Sequence, residues 1–192
     1  TTLETIAETG GLRLDSSWRS TEENANRVAE IAHAMGLPLV TFHAGFIPEE
    51  DCAERTKMLE RLETITTIFN QAGIRLGLET GQERATNVVS VLNELSLPSL
   101  GVNFDPANMI LYGKGDPIEA IQLLNPWVEQ VHIKDARETQ VKGTWGTEVP
   151  VGEGDVPWEP FLECVPANVN LVIEREGGDQ RISDIKLAKQ VL

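Results

Sequence analysis

The sequence predicts a (β/α)8 barrel, in which helices surround a closed parallel sheet. Short β-type runs alternate with segments of helical periodicity, a pattern typical of parallel β/α architecture. One parity of each β-type run is apolar and the other is polar, whereas both parities are apolar in an open sheet that helices cover on two faces. The polar parity of every run ends on a titratable residue, at the carboxyl end where such barrels hold their active sites.

The alternation divides the chain into eleven predicted elements. The predicted strands are residues 12–16, 38–44, 75–80, 100–105, 128–134 and 170–175. The predicted helices are residues 21–35, 51–72, 85–95, 117–124 and 182–192. Ser20 and Glu23 have the spacing of a capping box, and Asp116 before Pro117 is typical of a helix start. No linker or low-complexity segment interrupts the pattern, so we expect one domain over residues 1–192.

Six predicted strands are fewer than the eight of a complete barrel. Residues 3–9 have the pattern of a helix tail that runs into the first predicted strand. We therefore expect that the first two β/α units, about 70 residues, are missing from the N-terminal side. The alternative is a six-stranded open sheet, which would leave two long edges unprotected.

Composition and charge restrict the function classes. The 192 residues include 16 basic and 30 acidic side chains, which gives a net charge of −14 at pH 7. Proteins that bind nucleic acid usually concentrate Lys and Arg on one face, so this charge argues against a nucleic-acid partner. No apolar run approaches the roughly 20 residues that span a bilayer, which argues against a membrane protein. We expect a cytoplasmic location, and a homo-oligomer is compatible with these features.

The titratable residues at the predicted strand ends indicate a metal site. In chain order they are Asp15, His43, Glu79, Asp105, His132 and Glu174. The last four end consecutive strands, and neighbouring strand ends of a barrel converge on one point. Three carboxylates and one imidazole suit Mn²⁺, Mg²⁺ or Co²⁺ better than a structural Zn²⁺, although Zn²⁺ stays open as an alternative. The other interpretation is a set of unrelated polar residues that end strands.

The segments around these residues resemble the strand ends of the xylose isomerase-like TIM barrels. The similar segments are LGLET at residues 76–80, NFDPAN at 103–108, VHIKD at 131–135, VIERE at 172–176 and VPVGEGD at 149–155. This superfamily includes sugar epimerases and isomerases and the type IV endonucleases. The similarity extends from about residue 11 to the end of the chain, and its motifs are specific to the superfamily rather than to one substrate.

The resemblance implies one divalent metal ion with four protein ligands, namely Glu79, Asp105, His132 and Glu174. In the ketose epimerase branch, the two ligand glutamates also transfer protons, one on each face of the substrate. Carried over to this chain, those roles fall to Glu79 and Glu174. The chemistry is consistent, because a metal that polarises a carbonyl group makes the adjacent C–H acidic and stabilises the enediolate. A carboxylate on either face can then remove the proton and return it.

The chain departs from the better-known branches at two positions. The epimerases carry a His three residues after the aspartate ligand, where this chain has Asn108, which can donate a hydrogen bond but cannot titrate. Xylose isomerase itself needs further carboxylates and a second His, and Gln82 stands three residues past Glu79 instead. The endonuclease branch binds three zinc ions through many histidines, whereas this chain has three His in total. A DNA repair nuclease is therefore disfavoured.

Three residues are candidates for substrate binding. His43 ends a predicted strand and can contact a substrate hydroxyl, although a structural hydrogen-bonding role is the equal alternative. Asn108 stands where the epimerases have their additional His. Arg137 begins the loop after the predicted His ligand and can clamp a substrate oxygen or a phosphate. Lys134 has the outward parity, which favours an ion pair with a helix carboxylate over a substrate contact.

These observations predict a metal-dependent isomerase or epimerase that acts on a small-molecule sugar or sugar phosphate. The predicted reaction is proton transfer through an enediolate, with Glu79 and Glu174 as acid and base. A lyase or dehydratase that acts on a polyol or a keto-inositol would use the same metal and the same enolate. The alternative from another class is a barrel that binds carbohydrate without catalysis.

Overall fold

A computed structural model describes residues 11–141 and 143–190. The chain divides into two compact units. The first contains the residues up to Glu79 together with Ser90–Gly101, and the second contains Thr80–Val89 and the residues from Val102 on. Helix α3 (Ala85–Leu95) and strand β3 (Leu100–Phe104) contribute residues to both units. One domain over residues 1–192 stays a prediction.

The first unit is a β/α pair preceded by a long helix. Its elements are α1 (Asp15–Ala34), β1 (Leu39–Phe42), α2 (Ala53–Gln71) and β2 (Arg75–Glu79). Strands β1 and β2 are parallel neighbours, with Val40 opposite Leu76 and Phe42 opposite Leu78. Leu76 and Leu78 are buried, as the predicted apolar parity requires.

The second unit holds the remaining elements. They are α4 (Pro106–Leu111), α5 (Pro117–Leu124), a 3-10 turn (Asn125–Trp127), β4 (Val128–Ile133), β5 (Asp135–Arg137), β6 (Thr147–Val149), α6 (Trp158–Cys164), β7 (Asn170–Ile173) and α7 (Arg181–Ala188). Strand β4 pairs in parallel with β3 and with β7. Strands β5 and β6 form a separate antiparallel hairpin.

The apolar parity of β3 and β4 forms the core of the second unit. Val102, Phe104, Val131 and Ile133 have no exposed surface. The ring of Phe104 stacks on Phe161 of α6 with 5.8 Å between the ring centroids. The predicted alternation of apolar and polar faces is confirmed for these two strands. The opposite face of each strand holds the polar side chains, among which are the predicted ligands.

The predicted strand at residues 12–16 is wrong. Residues 11–13 form a turn and α1 begins at Asp15, so the parallel sheet has five described strands rather than six. The guanidinium of Arg61 on α2 explains the difference, because it donates to the carbonyl oxygens of Leu12 and Arg13 and binds the carboxylate of Asp15. Asp15 therefore lies in an ion pair at the start of a helix. Two alternating leucines were too short a signal to distinguish a strand from a turn.

The helix starts had mixed outcomes. The predicted capping box at Ser20 and Glu23 is wrong, because α1 starts earlier and Ser20 Oγ donates to the carbonyl of Ser17 instead. The predicted N-cap at Asp116 is confirmed, since its carboxylate accepts hydrogen bonds from the N–H groups of Ile118 and Glu119 at 2.8 and 3.0 Å. The helix tail predicted at residues 3–9 lies outside the described residues.

The long segment between residues 136 and 158 is organised around one buried carboxylate. Asp135 has no exposed surface. Its Oδ1 accepts from the N–H groups of Ala136 and Val156, and its Oδ2 accepts from the N–H groups of Gly152 and Gly154. The indole Nε1 of Trp158 donates the fifth hydrogen bond to this carboxylate, at 2.9 Å from Oδ2. Charge-assisted hydrogen bonds from several N–H groups to one carboxylate stabilise the conformation of this glycine-rich loop.

We expect Asp135→Asn to lower the free energy of unfolding by about 2–4 kcal/mol, because an amide presents an NH2 group to donors that need an acceptor. Asp155→Asn is the matched control, since that exposed loop carboxylate accepts a backbone hydrogen bond from Glu138. Urea unfolding followed by tryptophan fluorescence measures both. A loss below about 0.5 kcal/mol for Asp135→Asn would contradict the role given to this carboxylate.

Candidate functional site

Three predicted ligands of the second unit follow the polar parity to the strand ends. Asp105 directly follows β3, His132 is the penultimate residue of β4, and Glu174 directly follows β7. The parallel register sets His132 opposite Val172, and the N–H of Glu174 donates to the carbonyl of Ile133. The strand ladder therefore brings the side chains to one end of the sheet.

The three side chains converge. His132 Nδ1 lies 3.5 Å from Asp105 Oδ2 and 3.3 Å from Glu174 Oε2. Asp105 and His132 are buried, whereas the Glu174 side chain is 28% exposed. These three residues are a candidate metal-binding group. Glu79, the fourth predicted ligand, ends a strand of the first unit.

The Glu79 carboxylate contacts the His43 imidazole inside the first unit. Their Oε1 and Nε2 atoms are 3.2 Å apart, and both side chains are largely buried. The sequence had left His43 between a substrate contact and a structural role. Its observed partner is a predicted ligand, so it can orient the Glu79 carboxylate and stabilise its charge when protonated.

Lys134 is the largest departure from the sequence predictions. Its predicted ion pair with a helix carboxylate is wrong, because its ammonium group binds Glu174 Oε2 at 2.8 Å and Glu176 Oε2 at 3.0 Å. A third carboxylate oxygen, Asp105 Oδ2, lies 3.6 Å away. Lys134 is 2% exposed. A buried ammonium this close to three carboxylates partly neutralises their repulsion.

Opposite charges in this cluster shift the pKa values of Glu174 and Lys134 so that both groups stay ionised. Burial acts to raise the pKa of Glu174, but hydrogen bonds and positive charge from His132 and Lys134 outweigh it and lower the pKa to about 2. Burial acts to lower the pKa of Lys134, and the carboxylates of Asp105, Glu174 and Glu176 outweigh it and raise the pKa well above its usual value. Glu174 is therefore ionised at neutral pH and available as a ligand or a base.

One carboxylate oxygen of Asp105 accepts a backbone hydrogen bond, and the other faces His132 and Lys134. Its Oδ1 caps α4 by accepting from the N–H of Asn108 at 3.0 Å, and its own N–H donates to Thr80 Oγ1 at 2.9 Å. Its Oδ2 is buried and has no hydrogen-bond partner among the residues that the structure describes. A buried carboxylate oxygen in that condition fits a metal ligand, because a cation would satisfy it.

Asn108 is 3% exposed and lies beneath the turn after β2. Its Nδ2 donates to the carbonyl oxygen of Thr80 at 3.3 Å. Gly81 approaches it so closely, with φ at +119°, that a Cβ at position 81 would overlap the Asn108 side chain. The observed contacts give Asn108 a structural role between this turn and Asp105, and its contact with a substrate stays a prediction.

Arg137 lies at the exposed end of β5. Its Nε donates to the carbonyl oxygen of Glu153 at 2.8 Å. The structure thus places it on the hairpin rather than in the cluster with His132, and substrate binding by Arg137 stays a prediction. Among the loop tryptophans, Trp158 is buried on Asp135, whereas Trp145 is half exposed and packs edge-on against Tyr112.

The hairpin is also tied to the segment that follows Glu174. Glu148 on β6 accepts from Arg175 Nη1 at 2.8 Å and from the N–H groups of Glu176 and Gly177 at 2.9 Å each. Arg175 in turn donates to Asp184 on α7. Sequence reasoning did not identify Glu148, because its partners lie 27 to 29 residues away and no local pattern relates them.

The chain is similar to proteins with different activities. It is 25% identical over 130 residues to the 3-dehydroshikimate dehydratase of Bacillus anthracis, covering 65% of this chain and 46% of that protein. It is 29% identical over 123 residues to the 3-oxo-isoapionate decarboxylase of Pectobacterium atrosepticum, covering 60% and 44%. The chain spans less than half the length of the curated relatives it matches.

Solved structures share the fold. A xylose isomerase domain protein from Planctomyces limnophilus has a TM-score of 0.87 and 33% identity over 94% of this chain and 66% of its own. A D-tagatose 3-epimerase-like protein has a TM-score of 0.70 over 90% of this chain and 68% of its own, and its 20% identity establishes the fold alone.

No helix among the described residues has the length and apolar character that crossing a bilayer requires. The predicted barrel class and the resemblance stated from the strand-end motifs are confirmed by the family comparison. The family model for the xylose isomerase-like TIM barrel matches residues 12–182, and the chain belongs to that family.

Proposed function

We propose that this protein is a metal-dependent isomerase or epimerase of a small sugar or sugar phosphate, working by proton transfer next to a carbonyl group. The observation that carries the proposal is the convergence of Asp105, His132 and Glu174 in the second unit, where His132 Nδ1 lies 3.5 Å from Asp105 Oδ2 and 3.3 Å from Glu174 Oε2. Closely spaced carboxylates repel one another, and the single charge of Lys134 faces the three carboxylates of Asp105, Glu174 and Glu176.

The proposed cofactor is one divalent ion held by Glu79, Asp105, His132 and Glu174. Three oxygen ligands and one nitrogen favour Mn²⁺, Mg²⁺ or Co²⁺, with Zn²⁺ as an alternative. When bound, such an ion polarises a substrate carbonyl and its neighbouring hydroxyl and so makes the adjacent C–H acidic. The Oδ2 atom of Asp105 supports this assignment, because it is buried and accepts no hydrogen bond from the described residues.

The proposed acid and base are Glu79 and Glu174. Glu174 is ionised at neutral pH, because its pKa is about 2, and it can accept a proton from the substrate carbon. Glu79 has His43 at 3.2 Å, so a proton taken up by the Glu79 carboxylate can be shared with the imidazole. One carboxylate removes the proton and the other returns it, which leaves the elemental composition of the substrate unchanged.

Substrate orientation is proposed to fall to His43, Asn108 and Arg137. His43 is best placed for a hydroxyl group, since it already contacts Glu79. Arg137 can bind a substrate oxygen or phosphate with the guanidinium nitrogens that do not contact Glu153. Asn108 would act through the turn at Thr80 and Gly81, because its side chain is almost fully buried.

A dehydratase is the second candidate, and the similarity to 3-dehydroshikimate dehydratase favours it. The first step would be the same removal of a proton next to a carbonyl. The electron pair would then expel a hydroxyl group from the next carbon, and that hydroxyl would leave with a proton as water. Lys134 could hold the carboxylates in their ionised form in either reaction.

The metal site is tested by calorimetric titration of the purified chain with Mn²⁺ and Co²⁺. We expect one ion per chain and a loss of affinity of more than about 100-fold in His132→Ala and Glu174→Gln, because each change removes a ligand atom. Glu60→Gln, an exposed change on α2, is the control and should bind as the wild type does. Equal affinity in all four proteins would remove the metal site from the account.

The reaction class is tested by incubating the metal-loaded protein with ketoses and their phosphates in deuterium oxide. An isomerase or epimerase should place solvent deuterium on carbon and leave the heavy-atom composition unchanged. A dehydratase should give a product lighter by one water. Binding of metal and sugar with neither change would favour a carbohydrate-binding protein over an enzyme.

A further inference from the structure

Two amide side chains, one buried and one half-buried, lie on the Nε2 side of His132, away from the carboxylates. Asn103 on β3 has no exposed surface. It pairs in register with Gln130 on β4, whose Nε2 donates to Asn103 Oδ1 at 3.1 Å. The amide nitrogen of Asn103 lies 3.0 Å from His132 Nε2. Both residues have the inward parity, and neither has a role in the proposed reaction.

The His132 ring thus stands between two different environments. Its Nδ1 faces Asp105 Oδ2 and Glu174 Oε2, the oxygens that would share a metal ion with it. Its Nε2 faces the amide group of Asn103. A nitrogen that binds a cation must offer its lone pair, so metal binding through Nδ1 requires the ring proton to sit on Nε2.

The orientation of the Asn103 amide decides where that proton sits. In the structure the NH2 group of Asn103 meets Nε2, a contact that matches a ring whose proton is on Nδ1. With a cation on Nδ1, Nε2–H must donate to the amide oxygen of Asn103. Half a turn of the amide group supplies that acceptor, and a matching turn of Gln130 directs its oxygen to the Asn103 nitrogen. The amide groups keep their volume in both arrangements.

We propose that Asn103, supported by Gln130, is a positioning residue that holds His132 as an Nδ1 metal ligand by accepting a hydrogen bond from Nε2–H. This inference rests on the proposed metal site. Outer partners of this kind fix the tautomer and the ring orientation of ligating histidines, and their removal typically costs about 10–100-fold in metal affinity.

Two substitutions at position 103 separate this role from simple packing. Asn103→Leu keeps a similar volume and removes the acceptor, so we expect Mn²⁺ and Co²⁺ affinity to fall by about 10–100-fold. Asn103→Asp can only accept, which matches the needs of Nε2–H and of Gln130 Nε2 together. We expect it to bind metal within about threefold of the wild type or more tightly.

Thr66→Val is the control for the loss of a buried hydrogen bond away from the site. Thr66 is buried on α2 and donates to the carbonyl of Leu62. We expect this variant to bind metal as the wild type does. Thermal unfolding of each variant without metal shows whether it is folded, and affinities are compared among folded proteins.

Nitrogen NMR of the histidine rings gives a readout that packing alone would not move. The chain has three histidines, and His132→Ala identifies the signals of position 132. We expect the proton of His132 on Nδ1 in the metal-free wild type and on Nε2 after Zn²⁺ binding. Asn103→Asp should place a proton on Nε2 even without metal.

The inference is overturned if Asn103→Leu binds metal as tightly as the wild type, or if Asn103→Asp is as impaired as Asn103→Leu. An unchanged proton position in metal-free Asn103→Asp would also overturn it. Failure of the proposed function is a separate result, namely a wild type that binds no metal, because the metal-free NMR comparison does not depend on that affinity.

Discussion

Repulsion between closely spaced carboxylates is the constraint on which this site depends. Asp105 and Glu174 both lie close to Nδ1 of one imidazole, and their nearest oxygens are both close to the ammonium of Lys134. In a buried setting such charges persist only when opposite charge or hydrogen bonds compensate them. The ammonium of Lys134 neutralises part of the negative charge of these carboxylates. The negative charge that remains favours the binding of a divalent ion.

Contacts outside the parallel sheet hold these charged side chains in place. Asp135 collects five N–H donors and so fixes the segment from Gly152 to Trp158. Glu148 binds the backbone directly after Glu174 and thereby limits how far that strand end can move. Two further carboxylates, neither of them a proposed ligand, therefore stabilise the loop and the strand end that frame the site. A strongly acidic composition has a structural use here as well as a chemical one.

Much of this arrangement follows from strand parity, which the sequence states directly. The apolar alternation of β2, β3 and β4 and the polar strand ends at Glu79, Asp105, His132 and Glu174 are both local properties of the sequence. Strand parity gave the wrong partner for Lys134 because β4 ends at Ile133, and the alternation of faces no longer applies to the residue after it. It also failed at residues 12–16, where a guanidinium from α2 decides the conformation.

Contacts between distant residues account for what sequence reasoning missed. The ties from Glu148 to residues 175–177 join segments 27 to 29 positions apart, and the hairpin that carries Glu148 has strands of three residues each. The Asn103 and Gln130 pair had the predicted parity, but its use appears only when its neighbour in space, the back of His132, is known.

The most direct test of the account is a crystal structure of the Co²⁺-loaded protein with diffraction data collected at the cobalt absorption edge. The account predicts one strong anomalous peak, bonded to His132 Nδ1 and to carboxylate oxygens of Glu79, Asp105 and Glu174. A peak elsewhere, or coordination through His132 Nε2, would contradict it.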